Sequence, residues 1–92
     1  MLRKGEWTFL TNHGRVLSYI TKHPESTTEH IAHEAGITLR AVQKIIADLE
    51  IGGYITRLKE GRCNRYTVHL DRPMRHRLER DHAVADILGA LG

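Results

Sequence analysis

Thr38, Leu39, Arg40, Gln43 and Lys44 crowd into one short stretch of the chain, and Arg57, Lys59, Arg62 and Arg65 follow in a second. Their types suit the edges and phosphates of a nucleic-acid duplex. A guanidinium donates two parallel hydrogen bonds to O6 and N7 of guanine, and a carboxamide matches N6 and N7 of adenine. Lysine reaches phosphate or guanine, and a leucine touches a thymine methyl. A threonine at a helix start caps the helix and also bonds phosphate, where free backbone N–H groups already carry partial positive charge. An arginine at the tip of a hairpin fits a narrow minor groove, where the potential is most negative. The competing reading is plain: any amphipathic helix has a solvated polar face, and lysine and arginine on a hairpin protect its edges from aggregation.

Charge placement favours the first reading. The formal net charge is +3. Residues 1–36 balance Arg3, Lys4, Arg15 and Lys22 with Glu6, Glu25, Glu29 and Glu34, and residues 71–92 balance Arg72, Arg75, Arg77 and Arg80 with Asp71, Glu79, Asp81 and Asp86. The excess lies wholly in 37–70, where Arg40, Lys44, Arg57, Lys59, Arg62 and Arg65 outweigh Asp48, Glu50 and Glu60. A localised basic stripe is what phosphate binding requires.

The elements that must position these residues can be read from periodicity. Thr11 or Asn12 caps a first helix to about Lys22, with Val16, Leu17 and Ile20 on one face, and Pro24 stops it. A second helix begins near Ser26 or Thr27; Ser26 with Glu29 fits a capping box, and Thr27 is an equal candidate. Ile31, Ala32 and Ala35 face inward, and Gly36 suits a left-handed C-terminal cap. Ile37 plugs the core and Thr38 caps a third helix, whose Val42, Ile45, Ile46 and Leu49 make a buried stripe ended by Gly52 and Gly53. The small Ala41 permits close helix approach. The period then falls to two. Tyr54–Leu58 and Cys63–Leu70 read as antiparallel strands around a turn at 59–62, with Gly61 available for positive φ and Tyr66 and Val68 alternating with Arg65, Thr67 and His69. Asp71 and Pro73 open a last helix, charged in its first half and apolar in its second at Val84, Ile87, Leu88 and Leu91.

The expected fold is mainly α with a small β-hairpin, a winged helix-turn-helix with a three-helix core, a two-stranded wing and a C-terminal helix. It fills a single domain over 1–92, with 11–70 as core and wing and 71–92 as the last helix. The stretches "WTFLTNHGRVL" at 7–17, "GITLRAVQKIIADLEIGGYITR" at 36–57, "EGRCNRYTVH" at 60–69 and "RHRLERDHAV" at 75–84 resemble the winged-helix transcription regulators, specifically small relatives of the MarR group. The resemblance covers nearly all of the chain. Its central pattern of Val42, Ile46, Leu49, Gly53, Ile55, a glycine-arginine wing and Tyr66 is shared by winged helices broadly. Such relatives often carry a polar or acidic residue at Leu39 and a proline at Arg77. The resemblance implies DNA binding and supplies no effector.

These readings combine into a sequence-specific double-stranded DNA-binding regulator, with helix 38–51 in the major groove and the wing at 59–62 toward the minor groove. The rival is a winged-helix protein-interaction module that does not use the third helix for DNA. A homodimer is expected through Trp7, Phe9, Val84, Ile87, Leu88 and Leu91, because one winged helix makes few base contacts; the alternative is that these side chains fold back on their own core. No cofactor or metal is expected. His30 and His33 stand three apart, and His69, Asp71, His82 and Asp86 only loosely suggest a ligand set, whereas zinc needs three or four converging ligands. Cys63 reads as a half-buried strand residue rather than a redox sensor, although Lys59, Arg62 and Arg65 surround it. No nucleophile elbow, phosphate loop or carboxylate pair points to catalysis. A single cysteine, with neither a leader nor a long apolar run, fits a cytoplasmic protein with no membrane segment.

Overall fold

A computed structural model describes residues 7–61 and 63–91, apart from the Cys63 side chain. The expectations for residues 1–6, Arg62 and the Cys63 side chain therefore lie outside the described structure. Three helices come first: α1 (Asn12–Lys22), α2 (Thr28–Ala35) and α3 (Leu39–Ile51). Each opens on a threonine. Thr11, Thr27 and Thr38 hold extended backbone, and their hydroxyls accept from the N–H groups of Gly14, His30 and Ala41 at 3.2, 3.1 and 3.1 Å. Each cap satisfies one backbone donor that has no partner inside its helix. Thr27, not Ser26, takes this role in α2. The Glu29 carboxylate turns to the Thr28 hydroxyl at 2.8 Å, so the Ser26–Glu29 capping box is not the arrangement adopted.

Gly36 adopts φ 71° and its N–H reaches the carbonyls of Ala32 and His33, closing α2 in the left-handed region that a side chain would disfavour. The chain turns directly into Thr38, and this tight link fixes α3 across α2. Val16, Leu17 and Ile20 of α1, Ile31 and Ala32 of α2, and Val42, Ile45, Ile46 and Leu49 of α3 share one core, with Ala35 and Ile37 packed beside it. Burying each large aliphatic side chain is worth about 1.5–3 kcal/mol, so helix–helix packing, not helix propensity, holds α3 in place.

After α3 the chain reverses at Gly52 and Gly53, where Arg72 donates to the Gly52 carbonyl at 3.3 Å. The antiparallel pair β1 (Ile55–Glu60) and β2 (Cys63–Val68) follows, in a register that sets Ile55 opposite Val68 and Glu60 opposite Cys63. The strands run closer to the tip than the sequence suggests, so Lys59 and Glu60 belong to β1 and the turn follows directly at Gly61. Gly61 at φ 61° makes that tight reversal feasible. The hairpin is anchored at its base. The Tyr66 N–H donates to the Pro24 carbonyl at 2.9 Å, His69 N–H to the Tyr54 carbonyl at 2.8 Å, and buried Tyr54 donates its hydroxyl to the Pro73 carbonyl at 2.6 Å.

The last helix is shorter than expected. Residues 71–83 form turns closed by an antiparallel bridge between Pro73 and Ala83, and α4 covers only Val84–Leu91. The physical reason is the lack of an apolar stripe before Val84. Arg75, His76, Arg77, Glu79, Arg80, Asp81 and His82 are all exposed, Leu78 is 77% exposed, and only Met74 packs on the core. A helix over these residues would have no face to bury. Among the described residues, no helix is long and apolar enough to cross a membrane.

Candidate nucleic-acid interface

The stripe that buries Val42, Ile46 and Leu49 sends Leu39, Arg40, Gln43, Lys44 and Ala47 to the other side of α3, and all of them are exposed. Thr38 stands exposed at the head of this face. Its hydroxyl accepts from Ala41 as a cap, and its own proton remains free to donate to an anion. Arg40 has no carboxylate partner among the described residues. Lys44 does: its ammonium lies 3.2 Å from Oδ2 of Asp48, one turn further along the helix. The same oxygen is 2.8 Å from Nε2 of His13 on α1. The His13 hydrogen bond first, and the Lys44 hydrogen bond second, hold the Asp48 carboxyl below its ordinary range.

The wing distributes its cations less evenly. Side chains alternate along a strand, and the register puts Ile55, Arg57 and Lys59 on one face with Val68, Tyr66 and Asn64, while Leu58 and Arg65 share the other. Arg57 bonds Glu50 near the end of α3 at 3.3 Å, which turns that face of the wing toward the helix. Lys59 lies beyond it on the same face, with no carboxylate partner among the described residues. Arg65 faces away and sits 3.5 Å from Glu25 and 3.9 Å from Glu60. Hence the structure brings Thr38, Leu39, Arg40, Gln43 and Lys44 onto one surface and aligns Arg57 and Lys59 beside it. It does not bring Arg65 into that set. The sequence reading missed Asp48, His13 and Glu50, the groups that hold two of these cations. Only the four-residue spacing of Lys44 and Asp48 was a local signal.

Among the described residues, the terminal segments leave this face open. Phe9 and Leu10 meet Ile87, Leu88 and Leu91 around an apolar groove of about 480 Å³ that reaches Asp48 and Leu49, and none of Thr38, Leu39, Arg40, Gln43 or Lys44 lines it. Trp7 and Phe9 form an edge-to-face pair with ring centroids 5.0 Å apart, and they remain 72% and 93% exposed. Val84 corrects one expectation about the surface. It is 4% exposed and packs in the chain's own core, because its N–H is fixed to the Arg72 carbonyl at 2.9 Å as the first residue of α4. Leu88 also packs partly against that core. Two other histidines have side-chain partners: His69 contacts the Thr56 hydroxyl at 2.6 Å and His82 contacts Asp86 at 3.3 Å.

Three helices with an antiparallel hairpin after the third define a winged helix-turn-helix. Among solved structures, the chain is similar to the crystal structure of a zinc-responsive MarR family member, Lactococcus lactis ZitR, with a TM-score of 0.55 and 17% sequence identity. The likeness covers 72% of this chain and 47% of that one, so the chain matches about half the length of that regulator. No family model and no curated protein sequence matches the chain.

Proposed function

We infer that the chain is a sequence-specific, double-stranded DNA-binding transcription regulator without enzymatic activity. The observation that carries this reading is the open polar face of α3, where Arg40, Gln43 and Lys44 project beside a basic hairpin. In this reading α3 enters the major groove. Arg40 bonds a guanine, Gln43 an adenine, and Leu39 packs on a thymine methyl. Thr38 and the start of α3 meet a phosphate, and Lys44 reaches a second one. Arg57, Lys59 and Arg62 direct the wing tip toward the adjacent minor groove, and Arg65 adds backbone charge from the outer face. The winged-helix fold of a MarR family member is consistent with this use of the chain.

The working unit in this reading is a cytoplasmic homodimer. Trp7, Phe9, Ile87 and Leu91 supply its apolar surface, with Leu88 at the edge and Val84 supporting from beneath. Half-sites one helical turn apart are separated by about 34–36 Å. The molecule extends 39 × 34 × 23 Å, so two copies side by side match that spacing. A monomer in sedimentation at micromolar concentration would remove the dimer from the account.

One observation favours the rival, a protein-interaction module. Lys44, Arg57 and Arg65 already pair with carboxylates of their own chain. Such exposed pairs contribute only about 0–1 kcal/mol, so a phosphate can displace them. Selecting bound duplexes from a random library, then measuring affinity against salt, separates the two readings. DNA recognition gives a defined motif and a steep loss of affinity with salt, since each neutralised phosphate releases counterion. Recovery of no motif, with a salt-insensitive protein partner instead, would establish the rival.

A further inference from the structure

The geometry points to Asp48, fixed by His13, as a positioning residue that holds the Lys44 ammonium along α3, so that a DNA phosphate must displace a carboxylate to reach it. This inference rests on the DNA-binding reading above and adds an internal competitor to it. Three side chains from two helices meet at one oxygen. Lys44 and His13 both address Oδ2 of Asp48, at 3.2 and 2.8 Å. His13 lies at the start of α1, so its bond pins the carboxylate from outside α3. Lys44 cannot rotate that carboxylate aside without breaking a contact to another helix. The Lys44 side chain is 76% exposed, and it is therefore mobile enough to swing to a phosphate once released.

The arrangement also has the weaker polarity for a helical ion pair. A lysine placed N-terminal to its acid at four residues interacts less favourably than the reverse order. The hold on Lys44 is thus strong enough to orient it and weak enough to yield to a duplex. Asp48 stands on the flank of α3 next to Lys44, turned toward His13 of α1, so a backbone that approaches Lys44 meets the carboxylate as well, and non-specific phosphate attraction is tempered there. The effect would shift selectivity toward duplexes that also satisfy Arg40 and Gln43.

The test uses the full chain and a fixed duplex recovered by library selection with the wild type, with affinity measured over a salt series. Asp48→Asn keeps an acceptor for His13 and Lys44 but removes the charge. It should bind about threefold to fivefold more tightly, on the scale of an exposed ion pair, with a log–log salt slope steeper by about one unit. In a Lys44→Ala background the same change should alter affinity less than about twofold. His13→Gln, which retains the Asp48 charge but unpins it, should fall between wild type and Asp48→Asn. Asp48→Ala serves as a second variant with the same expected direction. An equal gain from Asp48→Asn with and without Lys44 would reduce Asp48 to simple charge repulsion and overturn the inference, as would no gain at all. A wild-type chain that selects no duplex would instead remove the DNA-binding reading, and this inference with it.

Discussion

On α3, Arg40 projects from the polar face with no carboxylate partner among the described residues, whereas on the hairpin Arg57 is tied to Glu50 and Arg65 to Glu25 and Glu60. The helix gathers its cations by a period of 3.6, so one buried stripe places Arg40, Gln43 and Lys44 on a common surface. The strands work with a period of two, so Arg57 and Lys59 share a face while Arg65 takes the opposite one. The same side-chain chemistry therefore has two different uses. Under the proposed function Arg40 and Gln43 read base edges, while Arg57 and Arg65 first brace the wing against α3 and against the loop after α1. Specificity should reside in the helix, and bulk electrostatic attraction in the wing.

Four measurements test this division, beginning with the largest effect. Ile46 is 1% exposed and supports the shared core, so Ile46→Ala should lower unfolding stability by about 2–5 kcal/mol in urea titration. Both regions should lose function together; survival of wing-dependent binding after loss of α3 would separate them more than the account allows. Next, Arg40→Ala should cost about 1–3 kcal/mol at a single base position and relax preference there alone. A uniform loss over all sequences would move Arg40 from reading to phosphate contact. Smaller again, Glu50→Gln frees Arg57 and should tighten binding about twofold to fivefold without altering the selected motif. A changed motif would give the wing a reading role.

The smallest effect concerns acid. The Asp48 carboxyl titrates below its ordinary range in the folded chain. Whatever stability it contributes is therefore fully present above the unfolded-state value of about 3.9 and is lost as pH falls through the lower folded value. Asp48→Asn should flatten that acid limb in unfolding measured from about pH 5 to about pH 2. No change in the limb would show that the His13–Asp48 bond is broken in solution.

Much of the helical framework was legible in the sequence because its signals are local. Thr11, Thr38 and Gly36 mark boundaries through hydrogen bonds within a turn of themselves, and the apolar stripes of α1 and α3 need no tertiary information. Ser26 and Thr27 were not separable, because both place a hydroxyl before the same helix and only backbone geometry decides between them. The span 71–83 misled because Pro73 followed by charged residues resembles a helix start, while Leu78 finds nothing to pack against. The polar face of α3 was legible for the same reason as its buried one. The partners of its charges were not. His13 and Asp48 lie 35 residues apart, and Arg65 meets Glu25 across the hairpin base; such contacts arise only once the core has assembled.

The central claim is that the polar face of α3 is the surface that meets a duplex, with the wing beside it and the terminal groove uninvolved. Titrating a selected duplex into isotope-labelled protein, with amide shifts followed by NMR, tests it most directly. The account predicts the largest shifts at residues 38–47 and 59–62, with Phe9, Ile87 and Leu91 nearly unmoved. Shifts centred on the groove between the N-terminal segment and α4, with α3 unchanged, would contradict it.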